Sequence, residues 1–184
     1  MLQQKKEERQ VDLLQLLMAR RSIRKYTGEG IPQDTLERIL QAGLLAASGK
    51  NRKPWEFIVV QDRDTLVKLS GSRDHGAAML ESAGCAVVVV ADPAKTDVWT
   101  EDCSIAMSNM HLMADSLGIG SCWVQGRLRE AADGRSTETY VKELLKIPDA
   151  YRLEAILSLG IPAERPEGYS IEDLPVEKIH SECF

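Results

Sequence analysis

The chain of 184 residues contains 28 acidic residues and 23 lysines and arginines, and its formal net charge is −5. A chain of this length fits a single domain and buries roughly 70% of its unfolded surface, so that no disulfide or metal is needed for stability. The acidic balance argues against a nucleic-acid surface, and the longest wholly apolar run, Cys85–Ala91, is far shorter than the ~20 residues of a membrane span.

The cysteines, the N-terminal residues and the histidines indicate the compartment and argue against a metal centre. No C-x-x-C pair occurs among the four cysteines, which are Cys85, Cys103, Cys122 and Cys183. The charged N-terminus is unlike an export signal, and together these features predict a reduced, cytoplasmic protein. The three histidines share no metal-ligand spacing with one another or with the cysteines, and His111 is expected on a helix surface.

Hydrophobic periodicity predicts two helices at the start of the chain, followed by strands and short helices. The first helix covers about Val11–Arg20, and the second begins near Pro32 and stops near Gly49. The apolar residues on one face of the second helix are Leu36, Ile39, Leu40, Gly43, Leu44 and Ala47. The elements that follow are a strand over Phe57–Val60, short helices over Thr65–Leu69 and Ala77–Ser82, and a strand over Cys85–Val90.

The second half of the chain is predicted to contain one long helix, from about Val98 to Leu117. Its apolar residues are spaced alternately by four and three, as in a coiled-coil seam: Trp99, Cys103, Ala106, Met110, Met113 and Leu117. Periodicity alone favours a core helix over a partner interface. The later elements are a strand over Ser121–Gln125, a helix over Thr137–Lys146, a strand over Ala155–Leu159, and a polar tail over 162–184 that is expected to lie extended along a surface.

Arg20, Arg21, Ser22 and Arg24 concentrate positive charge in one short segment of an acidic chain. Arginine presents a planar fork of donors that matches the oxygens of a phosphate, and the serine hydroxyl adds a further donor. Cations are also favoured at the C-terminus of a helix, where the first helix is expected to end. The residues by themselves support an anion site and a helix terminus about equally.

Two further segments are rich in small and polar residues at predicted element ends. Residues 47–57 connect the second helix to a strand, and Pro54 and Trp55 there either wall a flat ligand or belong to the core. Residues 118–126 contain Gly118 and Gly120, which let a backbone approach a ligand closely. Together with the arginine segment they predict a site for a planar cofactor that carries a phosphate.

Four motifs along the chain resemble those of the FMN-dependent nitroreductase family. They are R-R-S-x-R-x-Y at 20–26, A-x-S-G-x-N-x-x-P-W-x-F-x-V-V at 46–60, G-x-G-S-C-W at 118–123 and L-G-I-P-A-E at 159–164. The resemblance implies an α+β fold with a central, largely antiparallel sheet flanked by helices. It also implies a homodimer with two FMN sites at the subunit interface, and it changes the preferred interpretation of the long-helix seam to a dimer interface.

The resemblance assigns residues to the flavin as well. The implied cofactor-binding residues are Arg20, Arg21, Ser22, Arg24, Ser48, Asn51, Trp123, Val124, Gln125 and Gly126. The first three would hold the FMN phosphate, and Arg24 would lie near the pyrimidine edge of the ring. Ser48 and Asn51 would reach the flavin held mainly by the other subunit, and the Trp123–Gly126 backbone would lie near N5 and O4.

Two departures from the family pattern concern charge. Lys53 stands where glutamine is common and adds a positive charge near the site. Glu172 and Asp173 occupy the part of the tail where many members place a basic residue against the phosphate, so that Lys178 is the nearest candidate for that role.

The resemblance implies an oxidoreductase in which the flavin performs the redox step and no side chain is catalytic. NADH or NADPH would give hydride to FMN, and a nitroaromatic, a quinone or a related small molecule would then accept it in a ping-pong scheme. The alternatives are a non-catalytic flavin-binding or sensing protein and a flavin-dependent reductive dehalogenase of the same fold. A thiol peroxidase that uses Cys103 or Cys122 is weaker, because neither cysteine has an evident resolving partner.

Overall fold

The computed structural model describes residues 12–184, in which a four-stranded antiparallel sheet lies between two layers of helices. The strands are β1 (Trp55–Val60), β2 (Cys85–Ala91), β3 (Gly120–Gln125) and β4 (Arg152–Gly160), and their order in the sheet is β1-β2-β4-β3. The α-helices are α1 (Leu13–Ala19), α2 (Gln33–Leu44), α3 (Arg63–Ser70), α4 (Trp99–Ser116) and α5 (Thr137–Leu145). The α+β class and the antiparallel sheet are confirmed.

The inner strand β2 is buried along its whole length, which explains why its residues are apolar without alternation. On one face of the sheet, α2 and α4 contribute Ile39 and Met107 to the core. On the other face, α3 and α5 contribute Leu69 and Val141. Full burial of each such side chain contributes about 1.5–3 kcal/mol, so the sheet is stabilised by a separate apolar cluster on each face.

The ends of several elements differ from the sequence prediction. Residue 11, where the first helix was expected to begin, lies outside the described residues, and Ala78–Ser82 forms a 3-10 helix. Helix α2 ends at Leu44, and Ala46 beyond it is 5% exposed in the core. Leu44 and Ala47 are exposed and do not belong to the buried face of the helix. Trp55 is 5% exposed within the core and is not the wall of a ligand site.

The apolar seam of α4 faces the core of its own chain. Cys103, Ala106 and Met110 are fully buried against the sheet and α2. A Cβ placed on Gly43 would lie 2.9 Å from Met110 Cγ, so α2 and α4 approach closely at this glycine. The expectation that this seam forms a dimer interface is therefore wrong, because its spacing reflects packing within one chain.

The tail that follows β4 is exposed over residues 163–184 and contains two short 3-10 helices, Ile171–Asp173 and Val176–Lys178. Its first part lies along the arginine segment. The Ala163 N–H donates to the carbonyl of Lys25, and the Tyr169 N–H donates to the carbonyl of Met18, both at 2.9 Å. The arginine segment therefore lies between the tail and the sheet.

Two paired glycines let the arginine segment approach the sheet. Gly120 of β3 is directly opposite Gly160 of β4. A Cβ on Gly120 would lie 2.8 Å from Ile23 Cγ2, and a Cβ on Gly160 would lie 2.7 Å from the Tyr26 ring. Residues 23–26 therefore occupy the space that two side chains would otherwise fill.

Replacing Gly160 with alanine tests this close approach. We expect Gly160→Ala to lower the free energy of unfolding by about 1–3 kcal/mol, because the new methyl group overlaps the Tyr26 ring and forces a segment to shift. Equilibrium urea unfolding measures the change. Gly30→Ala is the matched control, since its Cβ would meet nothing within 4 Å. Equal stability of the two variants would contradict the proposed packing.

Candidate functional site

Residues 20–26 leave α1 and cross the start of β3 at the edge of the sheet. Ser22 forms a parallel bridge with Ser121, and the Ile23 N–H donates to the Ser121 carbonyl at 2.9 Å. Ile23 is 2% exposed, so that burial of its side chain also holds the segment in place. These contacts place the arginines beside β3.

The Arg20 guanidinium is held by one neutral group. Its Nη1 lies 2.9 Å from Nε2 of His111. No carboxylate forms an ion pair with it among residues 12–184, and its other nitrogens make no hydrogen bond there. Arg20 therefore keeps its positive charge and several donors for an external anion.

Arg21 contacts the chain itself. Its Nε donates to the carbonyl of Glu167 at 2.8 Å, and its Nη1 donates to the carbonyls of Met18 and Arg20 at 3.2 and 2.6 Å. Its guanidinium also lies 3.5 Å from the centre of the Tyr169 ring. The assignment of Arg21 to a phosphate therefore has less support from this geometry than the same assignment of Arg20.

Ser22 and Arg24 lie beside Cys122. Because successive side chains of a strand point to opposite faces of the sheet, the side chains of Cys122 and Ser121 lie on different faces. Arg24 is exposed, and its Nη1 donates to the Ser22 carbonyl at 3.3 Å. Burial raises the pKa of the Cys122 thiol, although the charge of Arg24 and a hydrogen bond with Ser22 act in the opposite direction. The structure thus brings Arg20, Ser22 and Arg24 together around the start of β3.

The outer edge of β3 is unpaired beyond Ser121 in the described part of the chain. The Val124 side chain is 1% exposed, so that only its backbone is available to a ligand. The Trp123 indole N–H donates to Oε1 of Gln125 at 2.8 Å, which orients both side chains. At the end of this stretch the Gln125 carbonyl accepts from Nη1 of Arg73 at 2.9 Å, so that the backbone open to an external molecule is mainly that of Trp123 and Val124.

Glu154 supports the end of β3 and was not found from the sequence. It is the extra residue of a β-bulge between Leu153 and Ala155, and its carbonyl accepts from the N–H groups of Gly126 and Arg127 at 3.1 and 2.9 Å. Glu154 is 5% exposed, its Oε2 has no hydrogen-bond partner within residues 12–184, and burial raises the pKa of its carboxyl. An acid that interrupts an apolar strand is the signal that could have identified it.

The loop that carries Ser48 and Asn51 is held in an unusual backbone conformation before β1. Three of its residues have positive φ angles: Lys50 (52°), Asn51 (56°) and Lys53 (47°). The Gly49 N–H donates to Oδ1 of Asp102 at 2.9 Å, and the Lys53 N–H donates to Oγ of Ser48 at 3.0 Å. Positive φ in non-glycine residues costs free energy, so these hydrogen bonds help to hold the loop in a conformation that such residues adopt infrequently.

A single chain does not bring this loop to the arginine segment. The loop precedes β1, whereas the arginine segment contacts β3, and these two strands form opposite edges of the sheet. Three strand spacings separate the edges by about 14 Å. Within one chain the candidate residues therefore fall into two separate groups, or half-sites: Ser48 and Asn51 in one, and Arg20, Ser22, Arg24 and the β3 edge in the other.

His111 is not a surface residue, contrary to the sequence expectation. Its ring lies between Arg20 and Ser121, with Nδ1 in hydrogen-bond contact with the Ser121 hydroxyl. Burial lowers the pKa of His111 to about 4, and the positive charge of Arg20 also acts in that direction. The histidine is therefore neutral near pH 7. Its position within the apolar run Met110–Met113 is a signal that could have indicated burial.

The thiols give no support to a peroxidase. Burial raises the pKa of Cys103 to about 12 and also raises that of Cys122, so that neither forms a reactive thiolate near pH 7. All four cysteines are free. Within residues 12–184, no group of three or more potential metal ligands occurs, and no helix is long and apolar enough to cross a membrane.

The half-buried His111 predicts a specific loss of stability in acid. The unfolded state takes up a proton on His111 near pH 6.5, whereas the folded state does so only near pH 4, so the free energy of unfolding falls between these pH values and levels off below them. The fall is at most about 3 kcal/mol. Urea unfolding at pH 7, 6, 5 and 4 measures it. His111→Gln lacks this group, so parallel stability curves for the two proteins would contradict the prediction.

The sequence and the backbone both match proteins of one family. The model of the nitroreductase family matches residues 17–73 and 70–161. The structure of an FMN-dependent nitroreductase from Clostridium difficile R20291 is 43% identical, covers 93% of this chain and 99% of its own, and has a TM-score of 0.90. A protein of Archaeoglobus fulgidus, provisionally named NADH dehydrogenase/NAD(P)H nitroreductase, is 39% identical over 93% of this chain and 98% of its own length.

The structure of a third similar protein contains a bound ligand. This protein is a provisionally named nitroreductase from Desulfovibrio desulfuricans whose structure was solved in complex with FMN. It is 26% identical, covers 95% of this chain and 99% of its own, and has a TM-score of 0.76. Because the family match includes both the arginine segment and the β3–β4 edge, and the backbones agree over almost the whole chain, this chain belongs to the nitroreductase family.

Proposed function

We propose that this chain is an oxidoreductase that binds FMN, accepts hydride from NADH or NADPH, and reduces small molecules such as nitroaromatics or quinones. The observation that carries the proposal is the convergence of Arg20, Ser22 and Arg24 at the start of the open β3 edge. The FMN-dependent nitroreductase and the NAD(P)H nitroreductase among the similar proteins support the same activity. The four free thiols are consistent with a reducing compartment such as the cytoplasm.

The residues present fit a flavin mononucleotide. Arg20 has unused donors and no acidic partner in the described chain, and Ser22 adds a hydroxyl, so that both suit a phosphate. From Ser121 to Gln125 the edge of β3 extends for roughly 13 Å, which leaves room for the ribityl chain and the ring. Backbone groups of Trp123–Gly126 would then lie beside the ring.

Bound FMN would supply a hydride acceptor and donor, so that NAD(P)H and the oxidant react in turn at one site. Arg24 would place a positive charge near the pyrimidine edge and stabilise negative charge there. The hydrogen bond between Trp123 and Gln125 would keep both side chains fixed beside the ring. The chain would therefore bind, orient and tune the cofactor without a catalytic side chain.

The two half-sites at opposite edges of the sheet support a homodimer. Ser48 and Asn51 of one chain would complete the site whose phosphate is bound by the other chain. Exposed apolar side chains on α1 support such a partner, because Leu13, Leu14 and Leu17 are 60%, 50% and 46% exposed. Apolar surface of this kind is commonly covered by another protein.

The first test is the flavin content of the purified protein. We expect one FMN per chain, and we expect Ser22→Ala and Arg24→Ala to weaken FMN binding about tenfold to a hundredfold, because each removes a polar or charged contact. Flavin absorbance and fluorescence titration measure both. Arg63→Ala is the control, since Arg63 is at the start of α3 and its side chain donates to the carbonyl of Ala83, away from the arginine segment and β3. Bound FMN that NAD(P)H does not bleach would favour a non-catalytic flavin-binding protein, and a parent protein that binds no FMN would refute the proposal.

The second test asks whether each site is shared between two chains. Arg24→Ala and Asn51→Ala are expected to lower activity separately. A purified heterodimer of the two variants would contain one site with both changes and one intact site, so we expect about half of the parent activity. A heterodimer of Ser22→Ala and Arg24→Ala is the control, because both changes affect the same half-site and no intact site forms. No recovery in the first heterodimer would contradict the shared site.

A further inference from the structure

His111 of α4 connects the arginine segment to the edge strand through two hydrogen bonds. On one side its Nε2 lies 2.9 Å from Nη1 of Arg20, and on the other side its Nδ1 contacts the hydroxyl of Ser121. Ser121 is 2% exposed and is itself paired with Ser22. The ring therefore lies at the junction of α4, β3 and the segment that contains the proposed phosphate ligands.

The partners of the ring determine its tautomer. A guanidinium nitrogen only donates, so Nε2 of His111 must accept the hydrogen bond from Arg20. The ring proton therefore resides on Nδ1 and is donated to the hydroxyl oxygen of Ser121. Protonation of Nε2 would place two donors and two positive charges against each other, so that this contact requires a neutral ring.

A neutral acceptor has a different effect on Arg20 than a carboxylate would have. A carboxylate at this position would orient the guanidinium but would also cancel much of its charge. Histidine fixes one nitrogen of Arg20 and leaves the whole positive charge for an anion. No acidic side chain pairs with Arg20 elsewhere in residues 12–184.

We propose that His111 is a positioning residue that holds the Arg20 guanidinium toward the phosphate of the bound cofactor. This inference rests on the proposed FMN binding. It makes His111 part of the recognition of the phosphate and gives it no contact with the flavin ring. The alternative is that the ring only fills space between α4 and β3, in which case its loss would affect all ligands alike.

Two amide variants of His111 test the hydrogen bonds of its two ring nitrogens separately. The amide of glutamine reaches about as far as Nε2, so His111→Gln can still accept from Arg20 but loses the contact with Ser121. The amide of asparagine reaches only as far as Nδ1, so His111→Asn can still contact Ser121 but loses Arg20. Both replacements are neutral and polar, which makes each the control of the other. His75→Gln is a further control, because His75 is exposed and its Nε2 lies 3.4 Å from Oδ2 of the neighbouring Asp74, outside the arginine segment.

The test compares FMN with riboflavin, which has the same ring and ribityl chain but no phosphate. For each apoprotein, fluorescence titration gives the two dissociation constants. We expect His111→Asn to weaken FMN binding about tenfold and to leave riboflavin binding unchanged, because only the phosphate contact is lost. We expect His111→Gln and His75→Gln to bind both ligands like the parent protein.

Three results would overturn the inference: unchanged FMN binding by His111→Asn, equal weakening of FMN and riboflavin binding, or equal weakening of FMN binding in the glutamine and asparagine variants. Circular dichroism and urea unfolding of each variant show whether a loss of binding reflects a loss of folding. If the parent protein binds riboflavin and FMN equally well, the phosphate site itself is refuted. If it binds neither, the proposed function fails, and that result is distinct from a failure of His111 alone.

Discussion

The close contact between residues 23–26 and the β3–β4 edge is the constraint on which the site depends. Two facing glycines, Gly120 and Gly160, provide the space, and Ile23 and Tyr26 fill it. The Tyr26 hydroxyl donates to the Ile23 carbonyl at 2.7 Å and contacts the Ser158 hydroxyl at 2.8 Å, and burial raises the pKa of Tyr26. A buried hydroxyl with satisfied partners fixes the segment before any ligand binds, which reduces the ordering cost of binding.

Helix α4 contacts both the arginine segment and the loop that contains Ser48 and Asn51. Its apolar face is part of the core, so its position relative to the sheet is set by packing. Near its start, Asp102 accepts from the N–H of Gly49 in the Ser48–Asn51 loop. Further along, His111 contacts Arg20. Polar side chains of one core helix thus contact both candidate half-sites.

The sequence was sufficient for most of the helices and strands, since periodicity is a local property, and it showed that residues 20–24 concentrate positive charge. The sequence could not show whether the apolar seam of α4 packs within its own chain or against a partner. A four-three spacing shows that one face of a helix is apolar, but it does not show which surface covers that face. The sequence prediction also placed His111 on the surface, because its contact with Ser121 depends on how the chain turns after α4. The separation of Ser48 and Asn51 from Arg20 required the strand order, which places β1 and β3 at opposite edges.

Neighbouring arginines in one motif have different physical roles here. Arg21 donates to backbone carbonyls of α1 and the tail and stacks on Tyr169, so much of its hydrogen-bonding capacity is used within the chain. Among residues 12–184, the Arg20 side chain forms a hydrogen bond only with the neutral ring of His111, so its charge is not cancelled there by an acid. Since a residue pattern counts both as equal cations, the difference arises from what surrounds each guanidinium. Under the proposed function, a guanidinium whose partner is a neutral ring, as Arg20 is with His111, keeps more of its charge for an external anion than one that is paired with an acid.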